Sequence, residues 1–171
     1  LHSNQLTGSI PPEIGELSSL QYLNLTENYN LSGSIPPEIG NLNNLIELNI
    51  SDTYNLLTGG IPPEIGNLVN LEKLSLFNNG LYGSIPPEIG NLTNLNYLRL
   101  SNNQLSGSIP PEIGNLVSLT YLDIGSNQLS GFISSEIGNL LSLLRLGLSS
   151  NQLTGEFPDE IYNLNNLEDL F

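Results

Sequence analysis

Apolar positions in this chain of 171 residues follow one recurring pattern, Leu-x-x-Leu-x-Leu, as at Leu95, Leu98 and Leu100, which returns every 24 to 26 residues. Within each copy the apolar spacing drops from three to two, so Tyr97 and Arg99 alternate with leucines. Strict alternation predicts a short strand with one face in a core and one in water. A second marker travels with the first: Ile10-Pro11-Pro12-Glu13-Ile14-Gly15 recurs from Ile35, Ile61, Ile85 and Ile109, then in altered form from Ile133 and Phe157. Its intervals are 25, 26, 24, 24, 24 and 24 residues. Proline at the opening of this segment and Glu close behind predict a short helical turn with its acid near the positive end. Ser-Gly or Thr-Gly between strand and helical turn permits a tight bend. One such unit has no means of burying its own Leu/Ile edge, whereas stacked units share a continuous core. The chain is therefore expected to form an α/β repeat solenoid, one domain over 1–171 of about seven units, with strands paired in parallel.

An asparagine column accompanies the strands: Asn4, Asn79, Asn103, Asn127 and Asn151, with Asn28 or Asn30 and Asn55 in the two longer units. Inside a solenoid bend such a side chain hydrogen-bonds main-chain groups that the bend leaves unpaired, and stacked copies can bond one another. Taken together, L-x-x-L-x-L-x-x-N-x-L-S-G-x-I-P-x-x-I-G-N-L resembles the plant-type subfamily of leucine-rich repeats over essentially the whole chain. The resemblance implies a leucine-rich repeat horseshoe with a parallel concave sheet, short 3-10 or irregular convex segments, and a second small sheet around Ser-Gly-Ser-Ile-Pro. It also implies extracellular or cell-surface placement and recognition of proteins, peptides or small hormones. Receptor-kinase ectodomains and polygalacturonase-inhibiting proteins belong to this subfamily, and similar repeats occur in algae and bacteria. Two departures from plant ectodomains stand out. The chain has no cysteine for paired caps, and it opens and stops inside a repeat, which predicts a fragment of a longer array or end-to-end self-association.

Composition narrows the chemistry. Leu and Ile supply 52 of 65 hydrophobic residues, and Ala, Cys, Met and Trp are absent, as expected of one unit copied several times. Without cysteine there is no disulfide, zinc-thiolate site, iron–sulfur cluster or thiol nucleophile. His2 is the only histidine and lies in a terminal partial unit, so an imidazole-assisted triad lacks support and a non-enzymatic protein without cofactor is expected. The 17 acidic against 3 basic residues, a net charge of −14, disfavour nucleic acid and anionic bilayers. No stretch approaches the ~20 apolar residues of a membrane span. No basic flank, apolar run and cleavage site open the chain, so a leader is expected to be missing or already removed. Glu13, Glu38, Glu64, Glu88, Glu112, Glu136 and Glu160 form a ladder that reads as a solvated scaffold feature ahead of a calcium-binding edge, and no metal site is assigned.

The variable strand positions carry the candidate site. The first outward column reads Tyr22, Glu47, Lys73, Tyr97, Tyr121, Arg145, Asp169; the second reads Asn24, Asn49, Ser75, Arg99, Asp123, Gly147, Phe171. All three bases of the chain fall here. One reading is a binding surface with Tyr97 and Tyr121 as aromatic anchors, Arg99 and Asp123 as polar contacts, and Lys73, Phe77 and Arg145 around them. The other is cross-strand pairing alone, Glu47 with Lys73, Arg99 with Asp123 and Arg145 with Asp169. A further candidate lies where the units lengthen, since Tyr29 and Tyr54 should project side by side from one rim; drift in a tolerant loop explains the same insertions. Four N-x-S/T sequons stand at Asn24, Asn30, Asn49 and Asn91, and an Asn- and Leu-rich unit generates such triplets readily. Two further functions fit the architecture. One is a structural or assembly array; the other is ice binding, which lacks a regular threonine column because Thr7, Thr58 and Thr154 alternate irregularly with serine.

Overall fold

A computed structural model describes residues 1–54 and 56–171; the Asn55 of the sequence reading lies outside the described residues. Each unit places a strand at the expected Leu-x-Leu alternation, giving Tyr22–Asn24, Glu47–Asn49, Lys73–Ser75, Tyr97–Arg99, Tyr121–Asp123, Arg145–Gly147 and Asp169–Leu170. These run in parallel in chain order as one seven-stranded sheet, the concave face of the solenoid. Register is direct: Glu47 faces Lys73, Tyr97 faces Tyr121 and Arg145 faces Asp169. The leucines between the outward residues, Leu48, Leu74, Leu98, Leu122 and Leu146, are fully buried in a column. Each contributes on the order of 1.5–3 kcal/mol by leaving water.

Behind the sheet, Pro-Pro-Glu-Ile-Gly winds into five-residue 3-10 helices, from Pro12–Glu16 to Asp159–Asn163. In the first five, proline occupies the opening positions, where its missing N–H is not needed. The Ser-Gly segment forms a second layer in two pieces, three strands within residues 7–58 and four within residues 82–153. Its glycines hold left-handed backbone, as at Gly33 and Gly107.

The asparagine column is a main-chain clamp. Asn127 is buried; its Nδ2 donates to the carbonyls of Leu100 and Ile124 at 3.1 Å, and its Oδ1 accepts the Leu105 N–H at 3.0 Å. Each copy thus ties its own bend to the preceding unit. Two expectations change. Among the described residues the asparagines of the column do not bond one another, and in the third unit buried Thr53 stands in the ladder and donates its hydroxyl to Asn79 Oδ1 at 2.6 Å. In the second unit the place is taken by Asn28, not Asn30. A second ladder was not anticipated: Asn44, Asn70, Asn94 and Asn166 each donate to a carbonyl of the previous unit at 2.8–2.9 Å.

Candidate recognition face

The three bases sit where the sequence placed them, each beside its acid. Arg145 Nε lies 3.0 Å from Asp169 Oδ2, Arg99 Nε 3.4 Å from Asp123 Oδ2, and Lys73 Nζ 4.0 Å from Glu47 Oε2. Lys73 and Arg145 are more than half exposed, so water screens their pairs to on the order of 0–1 kcal/mol. The Arg99 pair differs. Its Nε is buried without a hydrogen bond, and its guanidinium carbon stands 3.6 Å from the centre of the Phe77 ring. Arg99 is therefore held between an aromatic face and a carboxylate, an arrangement in which a planar cation is oriented before anything binds.

Asp123 corrects the sequence reading. It was expected among the exposed polar contacts, yet it is 7% exposed. Its Oδ2 accepts the Ser101 hydroxyl at 2.6 Å and its Oδ1 accepts the Gly125 N–H at 3.1 Å. The glycine at 147 on the next strand leaves no side chain over it, and the Phe171 ring fills that space. Asp123 is thus a support for Arg99 from below, and each of its oxygens already accepts a hydrogen bond from its own surroundings.

Tyr97 and Tyr121 stack at 4.5 Å between ring centres, with planes 12° apart. Both are half-buried, and direct strand register is the cause. Burial pushes the Tyr121 hydroxyl above its ordinary pKa, with Asp123 and Tyr97 adding to the effect and Arg99 and Arg145 opposing it. Beside this pair a groove of about 330 Å³ is lined by Asn49, Lys73, Ser75, Phe77, Tyr97 and Arg99 among others. Sequence columns could not show this groove, because Phe77 lies two residues past the strand Lys73–Ser75 and its ring meets Arg99 of the neighbouring unit only in three dimensions. Arg145 lies outside the groove, two strands beyond Tyr97.

Tyr29 and Tyr54 form a separate stack on the rim, 4.3 Å apart and tilted by 13°. Their segment bends through left-handed backbone at Glu27, Asp52 and Tyr54. Asp52 lines the concave groove and also raises the Tyr29 pKa, after burial, Glu27 and Tyr54. The rim pair is thus contiguous with the groove through one carboxylate. The glutamate ladder is solvated, with Glu112 alone among the seven half-buried, and no cluster of three or more metal-ligating side chains occurs among the described residues. Among the described residues no helix is long and apolar enough to cross a membrane.

Stacked parallel strands, an asparagine ladder and 3-10 connections define a leucine-rich repeat solenoid with an open strand face. Family models agree: residues 79–171 match the leucine-rich repeat region, and residues 19–42 and 44–68 match single leucine-rich repeats. This chain belongs to the leucine-rich repeat family. It is similar to the ectodomain of the Arabidopsis thaliana membrane receptor kinase GASSHO1/SCHENGEN3, solved in complex with CASPARIAN STRIP INTEGRITY FACTOR 2. Identity is 42% and the TM-score 0.93, over 99% of this chain and 20% of that one. It is also similar to the plant peptide hormone receptor RGFR1 in complex with RGF2, at 38% identity and a TM-score of 0.80, over 98% of this chain and 30% of that one. A plant ice-binding protein is 34% identical with a TM-score of 0.87, over 99% of this chain and 56% of that one. The chain thus spans between a fifth and somewhat over half the length of these structures. No curated protein matches it.

Proposed function

We propose that this chain is a non-enzymatic recognition module that captures a protein or peptide on the concave strand face, in an extracellular or cell-surface setting. The observation that carries the reading is the groove beside the Tyr97–Tyr121 stack, which gathers an oriented Arg99 and an exposed Lys73, two of the three bases of an otherwise acidic chain. Aromatic rings bring large contact area at low entropic cost, and a pre-oriented guanidinium adds directional donors. Receptor ectodomains solved with peptide ligands support the same reading by similarity. Tyr97, Tyr121, Arg99, Lys73 and Phe77 would contact the ligand directly, Asp123 would position Arg99, Arg145 would extend the surface, and Tyr29 and Tyr54 would border it. The test is selection of peptides from a random displayed library on the folded chain, followed by replacement of Tyr97 and Tyr121 with alanine. Loss of the selected peptides with unchanged circular dichroism is expected; unchanged capture would sink the proposal.

Ice binding is the second reading, favoured by the ice-binding relative. The second layer offers Thr7, Ser32, Thr58, Ser106, Ser130 and Thr154 as a hydroxyl column, interrupted by Tyr82. Thermal hysteresis of the purified chain decides it.

A further inference from the structure

Of the four sequons, the structure assigns Asn91 as an N-glycan acceptor and leaves Asn24 and Asn49 bare. This rests on the extracellular reading above and adds a modification site to it. Each 3-10 helix ends in the same way: the N–H two residues beyond its last residue returns to that residue's carbonyl, as in Thr93 N–H to Asn91 O at 2.9 Å, Asn43 to Asn41, Val69 to Asn67, Val117 to Asn115 and Leu141 to Asn139. The intervening residue has the inverse γ-turn backbone, φ −81° and ψ 56° at Leu92. Such a turn folds the main chain of the third residue back onto the carbonyl of the first, so the two sequon residues stay close together on the surface. Six units place Asn at the turn's first position, and Asn91 is the one with a hydroxyl at the third, Thr93. Both residues are exposed, and neither side chain hydrogen-bonds within the protein among the described residues.

The concave sequons are built differently. Asn24 Oδ1 accepts the Thr26 N–H at 3.0 Å, and Asn49 Oδ1 accepts the hydroxyl of buried Ser51 at 2.8 Å. Both asparagines are half-buried on neighbouring strands, and Asn49 lines the groove, so a glycan there would occupy the recognition face. Asn30 is exposed, but the residues after it run straight as the strand Asn30–Ser34 and form no such turn.

The donor class is a lipid-pyrophosphate-linked oligosaccharide. The Asn91 amide nitrogen forms a bond to the sugar C1, the C1–O bond to pyrophosphate breaks, the lipid pyrophosphate leaves with that electron pair, and the amide loses one proton to a base of the transferase. The experiment is secretion of the chain from eukaryotic cells behind an added signal peptide, with glycopeptide mapping after glycosidase release in heavy-oxygen water. Routing by the added leader separates this test from the peptide-capture test, which uses unglycosylated protein. A glycan on Asn91 and none on Asn24 or Asn49 is expected. Thr93→Val should remove it without loss of secretion, because Val69 and Val117 occupy the same place in neighbouring units. Val117→Thr should create a new acceptor at Asn115. A bare Asn91, or a glycan on Asn24 or Asn49 in the secreted protein, overturns the assignment.

Discussion

Two pairs of tyrosines stack in this molecule at nearly the same distance and tilt, and they are held by different means. Tyr97 and Tyr121 are register partners on adjacent parallel strands, seated on the fully buried Leu98 and Leu122. Tyr29 and Tyr54 stand on residues inserted after the ladder position, and Tyr54 keeps a left-handed φ of 53°. On the sheet, hydrogen-bonded backbone fixes both rings before a ligand arrives. On the rim, the stack must offset the cost of a bulky residue in a sparsely populated conformation, about 1–3 kcal/mol. Preorganisation therefore favours the sheet pair as the anchor of the proposed recognition face and leaves the rim pair as its adjustable element.

The largest effect is expected from Leu98→Ala. Removing a fully buried side chain beneath Tyr97 and Arg99 should cost about 2–5 kcal/mol and disorder the sheet pair, read as a lower urea midpoint. Asn79→Ala comes next, at about 1–3 kcal/mol, since it strands the Thr53 hydroxyl and two carbonyls under the rim. Its ring resonances should move at Tyr29 and Tyr54 and stay fixed at Tyr97 and Tyr121; the reverse would break the comparison. Glycine scanning sharpens it. Tyr121→Gly loses the stack and weakens a strand, about 1–2.5 kcal/mol, whereas Tyr54→Gly loses a stack and relieves strain, for a net change under about 1 kcal/mol. Equal costs would show that the rim is no less rigid than the sheet.

The smallest effect is alkaline. Tyr29 and Tyr121 both have pKa values raised above the ordinary 10.0, with burial the leading cause in each. A raised folded pKa favours the neutral hydroxyl, so this contribution is complete below pH 10 and fades as pH climbs through the folded values. Added salt should lower the Tyr29 midpoint more than that of Tyr121. Glu27 and Asp52 act on Tyr29 without a nearby base to oppose them, while Arg99 and Arg145 offset Asp123 at Tyr121. Carbon-13 titration of the tyrosine rings checks both.

Much of this face was legible in the chain. The three ion pairs and both tyrosine stacks follow from aligning units, because parallel register converts equal positions in the repeat into neighbours. Asp123 was misread for a physical reason: its column faces outward, but a missing side chain at Gly147 and the ring of Phe171 close over it. Thr53 was missed because the inserted residues shift the count and hide which one turns inward.

By itself the sequence determined the repeat, the strands, the buried leucine column and which residues share a face, since each of these depends on spacing within or between identical units. Tertiary structure alone decided which outward residues are available. Phe77 meets Arg99 and Ser101 meets Asp123 through contacts set by side-chain volume and backbone path, quantities that no column of letters records.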